Sequence, residues 1–446
     1  MVIKGVRALS YYPSERSITN KQTFKAIEIT VVVLITILFC FSMTIQAKKY
    51  IVIEKSLDLL MLLCIVDGII ATTIKRKTVD KAVLIFTVLY LATRIVSYKL
   101  NSIPIEYGGT MMLQFFYLIG VSRHLFGGRK KTMAALYSFI AFDIYAVIIC
   151  LFNYHFRPEY VASLCEKYMT AGMTPQTNMF QNPNYAGMMT GAAIVVCFAF
   201  IINKKNDRIC AVLMVPIIIV NVIMLYCYTG CRSAQIGVVI VATLFVVIMI
   251  IKRIDSVRAV IGVSLLVSFF SLVPLYTLVY WGSNNNYLYD VTYTENIVEG
   301  YSSGRYAIWK TTILSQQGHQ LFGFGNSTNA WNNRKELINN ADSSIVTETY
   351  LQSANHKRQH NGYLALINET GFVGTIVFLL LLLCRIKNLK GFFRHGQWEK
   401  LLLVYIFWIN LFEAKFILQL FFTGFLMMVL LLPSEEEQSN QLEEAA

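Results

Sequence analysis

Runs of about 20 apolar residues recur along nearly the whole chain, and short clusters of lysine and arginine separate them. Such a run is long enough to cross the hydrocarbon core of a bilayer as an α-helix. The pattern therefore predicts an all-α polytopic membrane protein with about twelve transmembrane helices. Their approximate bounds are 26–45, 51–73, 82–98, 108–126, 132–152, 184–202, 209–229, 233–251, 259–281, 362–384, 400–412 and 416–432.

The first and the last of these segments are less regular than the others. No small-residue cleavage site follows the first run, so we interpret it as a helix and not as a signal peptide. Near the other end, Glu413 and Lys415 interrupt the apolar residues before Phe416. A short span, a re-entrant hairpin and a single bent helix all fit that pattern.

The basic clusters orient the chain, because lysine and arginine accumulate in cytoplasmic loops. If the N-terminus is cytoplasmic, more than half of the 39 lysine and arginine residues lie on the inside. Both termini are then cytoplasmic. The predicted parts are a cytoplasmic segment 1–25, helices one to nine over 26–281, an extracytoplasmic domain 282–359, helices ten to twelve over 360–432 and an acidic tail 433–446.

Composition agrees with a membrane protein, since only 15% of the residues are charged against roughly 25% in soluble domains. This composition excludes a soluble enzyme, a disordered chain and a fibrous protein. The net charge of +13 does not indicate nucleic-acid binding, because the cations lie at the ends of apolar segments. Most of the nine cysteines lie in apolar runs, which favours packing over a disulfide framework.

The long outside segment 282–359 breaks the pattern of short loops. Its six cations balance six anions, and it contains ten aromatic residues. Long segments of this kind in compact proteins are usually functional. We expect a small folded cap, in which residues 304–317 form a helix.

Three motifs on the predicted outside carry candidate chemistry. The first is Tyr228–Ala234, in which Arg232 is either an interfacial anchor or a ligand for a phosphate. The adjacent Gly230 and Ser233 would let that phosphate approach backbone amides at a helix N-terminus.

The second motif is Ser303–Trp309. Gly304 precedes the predicted helix and places Arg305 at its N-terminus, where an anion is stabilised. A guanidinium group matches phosphate in bidentate geometry. The alternative is a salt bridge that only packs the loop.

The third motif, His356–Gly362, leads into the tenth predicted span. His360 lies where the chain re-enters the membrane, and an imidazole there can accept a proton near neutral pH. The alternative is a hydrogen-bonded interfacial histidine. Two arginines and a histidine together suit a lipid-linked sugar diphosphate. No Asp-x-Asp or His-Glu-x-x-His pattern indicates a metal site.

In order and spacing, these motifs resemble those of the O-antigen ligase and Wzy-type polysaccharide polymerase family. The pieces that carry the resemblance are Asn182–Gly187, Thr229–Ala234, Ser303–Trp309, Phe322–Asn326 and His360–Leu366. The resemblance implies a fold similar to that of GT-C membrane glycosyltransferases. It also implies inverting glycosyl transfer without a metal or cofactor, at the outer face of a bacterial plasma membrane.

The resemblance further implies roles for individual residues. Arg232 and Arg305 would bind the diphosphate of an undecaprenyl diphosphate donor, and His360 would be the general base. The glycine-rich turn Phe322–Asn326 would shape the loop against the membrane helices. The residues expected to contact substrate are Asn182, Asn184, Ser233, Gly304, Trp309 and Asn361.

The expected partners are a lipid-linked glycan donor and acceptor within the membrane, together with a flippase and a chain-length regulator. The shared motifs do not separate a polymerase from a ligase that transfers glycan to lipid A. Lysine exceeds arginine by 23 to 16, as in many low-GC bacteria, many of which lack an outer membrane, and this favours a polymerase. A transporter would place its binding groups at mid-membrane, whereas these motifs cluster on one face.

Overall fold

The fold is described by a computed structural model over residues 15–73, 80–104, 108–168, 175–203, 208–251, 257–281, 293–302, 304–340, 351, 359–389, 398–414 and 421–432. The acidic tail, Ser303, His356 and the segment 415–420 lie outside the described residues.

The described chain is almost entirely helical. Its α-helices are α1 (Glu15–Phe41), α2 (Ile45–Lys49), α3 (Ile51–Thr73), α4 (Lys81–Leu100), α5 (Gly108–Phe115), α6 (Arg129–Phe156), α7 (Pro158–Tyr168), α8 (Pro183–Ile202), α9 (Arg208–Ile223), α10 (Arg232–Ile251), α11 (Val257–Phe270), α12 (Leu272–Trp281), α13 (Tyr293–Ser302), α14 (Tyr306–Ser315), α15 (Ser327–Asn339), α16 (Gly362–Lys387), α17 (Leu402–Ile409) and α18 (Phe422–Leu430).

Within the described residues, nine helical segments are long and apolar enough to cross a membrane. They correspond to nine of the twelve predicted spans and confirm a polytopic α-helical membrane protein. The segments are Thr23–Phe41, Ile51–Thr73, Lys81–Leu100, Arg129–Phe156, Pro183–Ile202, Ile209–Tyr228, Arg232–Ile250, Arg258–Tyr280 and Gly362–Lys387.

The count of twelve is not confirmed, because three predicted spans form shorter helices. The segment 108–126 contains α5 and a π-helical turn, Phe116–Gly120. Near the C-terminus, α17 has 8 residues and α18 has 9. Nearly every side chain of α17 and α18 is buried, so their apolar character reflects the protein core. Apolar runs of this length are typical of buried helices.

Helix α8 lies at the centre of the bundle and is buried along most of its length. It packs against α6, α9, α10 and α17. Asn182 caps its first turn, since Oδ1 accepts a hydrogen bond from the Asn184 amide at 2.8 Å. Pro183 follows at the first helical position, where its missing N–H costs no hydrogen bond.

Helix α16 bends at Gly371, whose φ of 66° and ψ of −177° are not helical. The loop before α15 fills this bend with backbone hydrogen bonds. Phe324 and Gly325 donate to the carbonyls of Asn368 and Glu369 at 2.9 and 3.0 Å, and Phe372 donates to Gln320 at 2.8 Å. The glycine-rich turn therefore packs against a membrane-type helix, as predicted.

Arg94 of α4 fixes the same junction from the other side. Its guanidinium donates to the carbonyl oxygens of Glu369 at 3.1 Å and Gly325 at 2.6 Å. The Glu369 carboxylate lies 3.9 Å from the same group, and both side chains are almost fully buried. Three segments distant in sequence thus meet at this point, next to the cap helix α14 that was expected over residues 304–317.

Candidate functional site

A buried carboxylate holds three of the predicted site residues together. Glu413 follows α17 and is only 4% exposed. Its Oε1 accepts hydrogen bonds from Arg305 Nη2 at 2.9 Å and from Asn184 Nδ2 at 2.8 Å. Its Oε2 lies 3.4 Å from His360 Nδ1. We refer to Asn184, Arg305, His360 and Glu413 as the Glu413 cluster.

Asn184 reaches the cluster because the chain before α8 is pinned to the turn between α1 and α2. The Ile45 amide donates to the Met179 carbonyl at 2.9 Å, and the Gln181 amide donates to Met43 at 3.1 Å. The Asn182 cap then starts α8 with Asn184 in its first turn. Asn182 itself has a structural role here, and its predicted contact with substrate remains a prediction.

Arg305 precedes α14 and contacts the end of the α17 turn at two points. Besides the Glu413 carboxylate, it donates from Nη1 to the Phe412 carbonyl at 2.7 Å. Its side chain keeps 18% exposure, so part of the guanidinium remains accessible. The contact joins the cap to the carboxylate that also faces His360, and the predicted role of Arg305 in binding an anion remains a prediction.

The backbone anion site expected at the start of α14 is already used by the protein. Glu299 Oε2 accepts from the Ala307 amide at 2.9 Å, and Ser302 Oγ accepts from the Tyr306 amide at 3.0 Å. Gly304 adopts a φ of +80° to make this turn. At this terminus the Arg305 side chain, and not the backbone, is the group available to an anion.

His360 has a φ of +50°, a conformation that residues other than glycine seldom adopt. The strain is held from the C-terminal side. Asn361 caps α16 by accepting from the Leu364 amide at 2.9 Å, and the Gly362 amide donates to the Asn410 carbonyl at 2.6 Å. These bonds direct the imidazole towards Glu413, and 23% of its side chain stays exposed. Strained residues of this kind cluster at functional sites.

The start of α10 lies beside the cluster. Gly187 has no room for a Cβ, which lets Cys231 pack directly against the first turn of α8. Cys231 Sγ lies 3.5 Å from Ser233 Oγ, and Trp408 Nε1 donates to the Ser233 carbonyl at 2.9 Å. Burial raises the pKa of the Cys231 thiol, so it is protonated at neutral pH and does not act as a nucleophile.

Arg232 differs from the other predicted residues. Its side chain is exposed, and in the described part of the chain it forms no ion pair. The structure brings its neighbours Cys231 and Ser233 to the cluster, while its own guanidinium remains available. Trp309 and Asn361 are buried. The substrate roles of all three remain predictions.

The electrostatic setting favours an anionic ligand. Besides α14, whose first amides already bind Glu299 and Ser302, helices α8, α10 and α16 begin at the cluster, and helix N-termini carry partial positive charge. Over the described ranges, no group of three His, Cys, Asp or Glu side chains forms a metal site. Binding of a diphosphate and acceptance of a proton at this cluster remain predictions.

Sequence reasoning did not place Glu413 in the candidate site. It stood out only as a charge that interrupts an apolar run, although ionisable residues in such runs often mark functional sites. That signal was present, but no local pattern connects Glu413 with a histidine 53 positions earlier.

A family model described as O-Antigen ligase matches residues 222–379. This part of the chain is therefore similar to the O-antigen ligase family. The matched segment contains the Arg232, Arg305 and His360 motifs, whereas Asn184 and Glu413 lie outside it. A search of curated proteins found no matching sequence. The apolar helices of the described residues indicate a multi-pass membrane protein.

Proposed function

We propose that this protein is a glycosyltransferase that joins undecaprenyl-diphosphate-linked repeat units into a surface polysaccharide, at the outer face of a bacterial plasma membrane. One observation carries the proposal: Glu413 holds a guanidinium and an imidazole in a single cluster. Arginine suits the diphosphate of the donor, and histidine suits deprotonation of an acceptor hydroxyl.

The geometry supports different roles for His360 and Arg305 in the transfer reaction. Nδ1 of His360 faces the Glu413 carboxylate at 3.4 Å. In the tautomer with the proton on Nδ1, Nε2 is the nitrogen that accepts a proton. Nε2 takes the proton of an acceptor sugar hydroxyl, and the oxygen attacks the anomeric carbon of the donor. The carbon–oxygen bond to the diphosphate breaks, and the diphosphate leaves with the electron pair.

Arg305 stabilises the departing diphosphate. A guanidinium has five N–H donors, and the contacts with Phe412 and Glu413 occupy only part of them. Arg232, exposed at the start of α10, supplies a second cation. Because the attacking oxygen approaches opposite the leaving group, transfer inverts the anomeric configuration. No step of this scheme needs a metal ion.

The test uses purified full-length protein, undecaprenyl-diphosphate repeat units and EDTA, with products resolved on a gel. We expect a ladder of lengthening lipid-linked glycan. His360→Ala and Arg305→Ala should each lose at least about 100-fold in rate, as for the loss of a transition-state donor. His155→Ala, which changes an exposed histidine on α6, is the matched control. Full-length product from the His360 or Arg305 variant would contradict the proposal.

The family description favours a second candidate, transfer of a finished glycan onto an acceptor such as the lipid A core. The same cluster would perform the same chemistry with a different acceptor hydroxyl. If the repeat units alone stay unchanged, the candidate acceptors are added. Product that appears only then identifies a ligase, whereas glycan moved across vesicles without new bonds identifies a transporter.

A further inference from the structure

Arg334 of α15 is a buried cation with few partners. Only 1% of the residue is exposed. Its Nη1 donates to Thr312 Oγ1 of α14 at 3.2 Å. Among the described residues, Nε and Nη2 have no hydrogen-bond acceptor, and no carboxylate pairs with the guanidinium.

This arrangement is costly without a ligand. Burial lowers the pKa of Arg334 to about 10, so the group still carries its charge at neutral pH. A buried charge is normally paired, because an uncompensated one loses its hydration without a replacement. The two open nitrogens lie side by side on one edge of the guanidinium, the edge that binds a carboxylate or phosphate in bidentate fashion.

The position of Arg334 relates it to the Glu413 cluster. Residues 305, 309 and 312 follow each other at intervals of four and three, so they lie along one face of α14. Thr312 is seven residues beyond Arg305, or about 10 Å along the helix axis. Because Arg334 donates to Thr312, its guanidinium lies on this same side of α14 as Arg305, about 10 Å further along the helix.

A second unpartnered donor lies between these two points. Trp309 is 8% exposed, and its indole Nε1 has no acceptor within the part of the chain that the structure describes. Tryptophan Nε1 and arginine can only donate hydrogen bonds. On this face of α14, the Trp309 and Arg334 donors therefore lack acceptor partners among the described residues. Such donors favour a ligand that is rich in acceptor atoms and negatively charged.

We propose that Arg334, assisted by Trp309, forms an anion subsite for a carboxylate or phosphate group on a sugar of the lipid-linked glycan. The proposal rests on the proposed function and deepens it, because it names the substrate class: an acidic repeat unit. Arg334 selects the substrate, whereas the Glu413 cluster performs the transfer.

The test measures equilibrium binding of three synthetic lipids to the full-length protein in nanodiscs. Each lipid carries an undecaprenyl-diphosphate disaccharide, and the outer sugar is glucose, glucuronate or glucose 6-phosphate. We expect the wild type to bind at least one acidic lipid about tenfold more tightly than the glucose lipid, as for a charge-assisted bidentate pair. The two acidic lipids distinguish a carboxylate ligand from a phosphate ligand.

The variants assign the preference to Arg334. Arg334→Gln should abolish it and leave binding of the glucose lipid within about threefold, since the diphosphate contacts remain. Arg334→Lys keeps the charge and should retain part of the preference. This variant provides the test if Arg334→Gln fails to fold. Lys335→Gln is the matched control, because it removes the neighbouring cation, which packs on the Trp331 ring, and should keep the preference.

The possible results separate the two proposals. Equal binding of all three lipids by the wild type would overturn the subsite while leaving the proposed function intact. A preference that survives in Arg334→Gln would place the anion elsewhere and would also overturn it. Binding of none of the lipids would contradict the proposed function itself, and the subsite with it.

Discussion

The Glu413 carboxylate contacts three side chains, from the start of α8, the start of α14 and the start of α16. Removing one partner of a buried ion pair leaves the other charge uncompensated. The residues of the cluster should therefore depend on each other in activity as well as in stability. Arg232 is the exception, since its exposed side chain contributes no described contact to the fold.

Glu413→Gln keeps the size of the side chain and removes its charge. We expect the rate of glycan transfer to fall at least about 100-fold, because Arg305 and His360 lose the group that positions them. The thermal unfolding temperature should also fall, since the buried Arg305 contact is broken. The rate is measured from the lipid-linked ladder, with Glu336→Gln, an exposed carboxylate of α15, as the control. A variant with wild-type rate would contradict the positioning role.

Arg232→Ala tests whether the exposed guanidinium acts on the substrate. We expect a rate loss of about 100-fold with no change in the unfolding temperature, because the exposed side chain forms no ion pair with any residue that the structure describes. The two measurements are made on the same purified sample. An unchanged rate would show that Arg232 is only an interfacial anchor.

At the scale of elements, the bend of α16 joins the cap to the bundle. The bend leaves the amides and carbonyls near Gly371 without helical partners, and the loop 320–325 supplies them. The close approach requires glycine, because a Cβ at position 371 would collide with the backbone of Leu321. Arg94 then binds the carbonyls of both segments. His360 and Arg305 come from the two elements that this junction connects.

Gly371→Ala should disrupt that junction. The backbone conformation of Gly371 (φ 66°, ψ −177°) is essentially restricted to glycine and costs alanine about 1–3 kcal/mol, and the steric collision adds to this. We expect a lower unfolding temperature and a loss of transfer, since the cap no longer holds Arg305 at Glu413. Gly262→Ala is the control on α11, where a Cβ meets only ordinary contact distance to Ile386, and it should be neutral or stabilising. Equal unfolding temperatures for the two variants would refute the proposed role of Gly371 in joining the cap to the bundle.

At the scale of the whole molecule, the predicted topology puts the cap and the cluster outside. Tyr301 of the cap is 88% exposed, and Lys130 lies at the exposed start of α6, which is predicted to be cytoplasmic. The positive-inside rule is the physical basis of this orientation. The side of the membrane on which each position lies can be measured directly.

Tyr301→Cys in intact cells should react with a membrane-impermeant thiol reagent, and Lys130→Cys should react only after permeabilisation. The wild-type chain measures the background from its own cysteines. The reverse labelling pattern would invert the topology and place the Glu413 cluster in the cytoplasm.

The sequence by itself determined the class of the protein, most of its membrane-type helices and the motifs of its site. These features are local: a span needs about 20 apolar neighbours, and a cap such as Asn182 or Asn361 acts within one helical turn. Only the tertiary structure decided how these pieces meet. The short buried helices α17 and α18, the bend at Gly371 and the role of Glu413 all depend on contacts between segments far apart in sequence. Hydropathy records the burial of a residue, but it does not record which distant charge that residue will pair with.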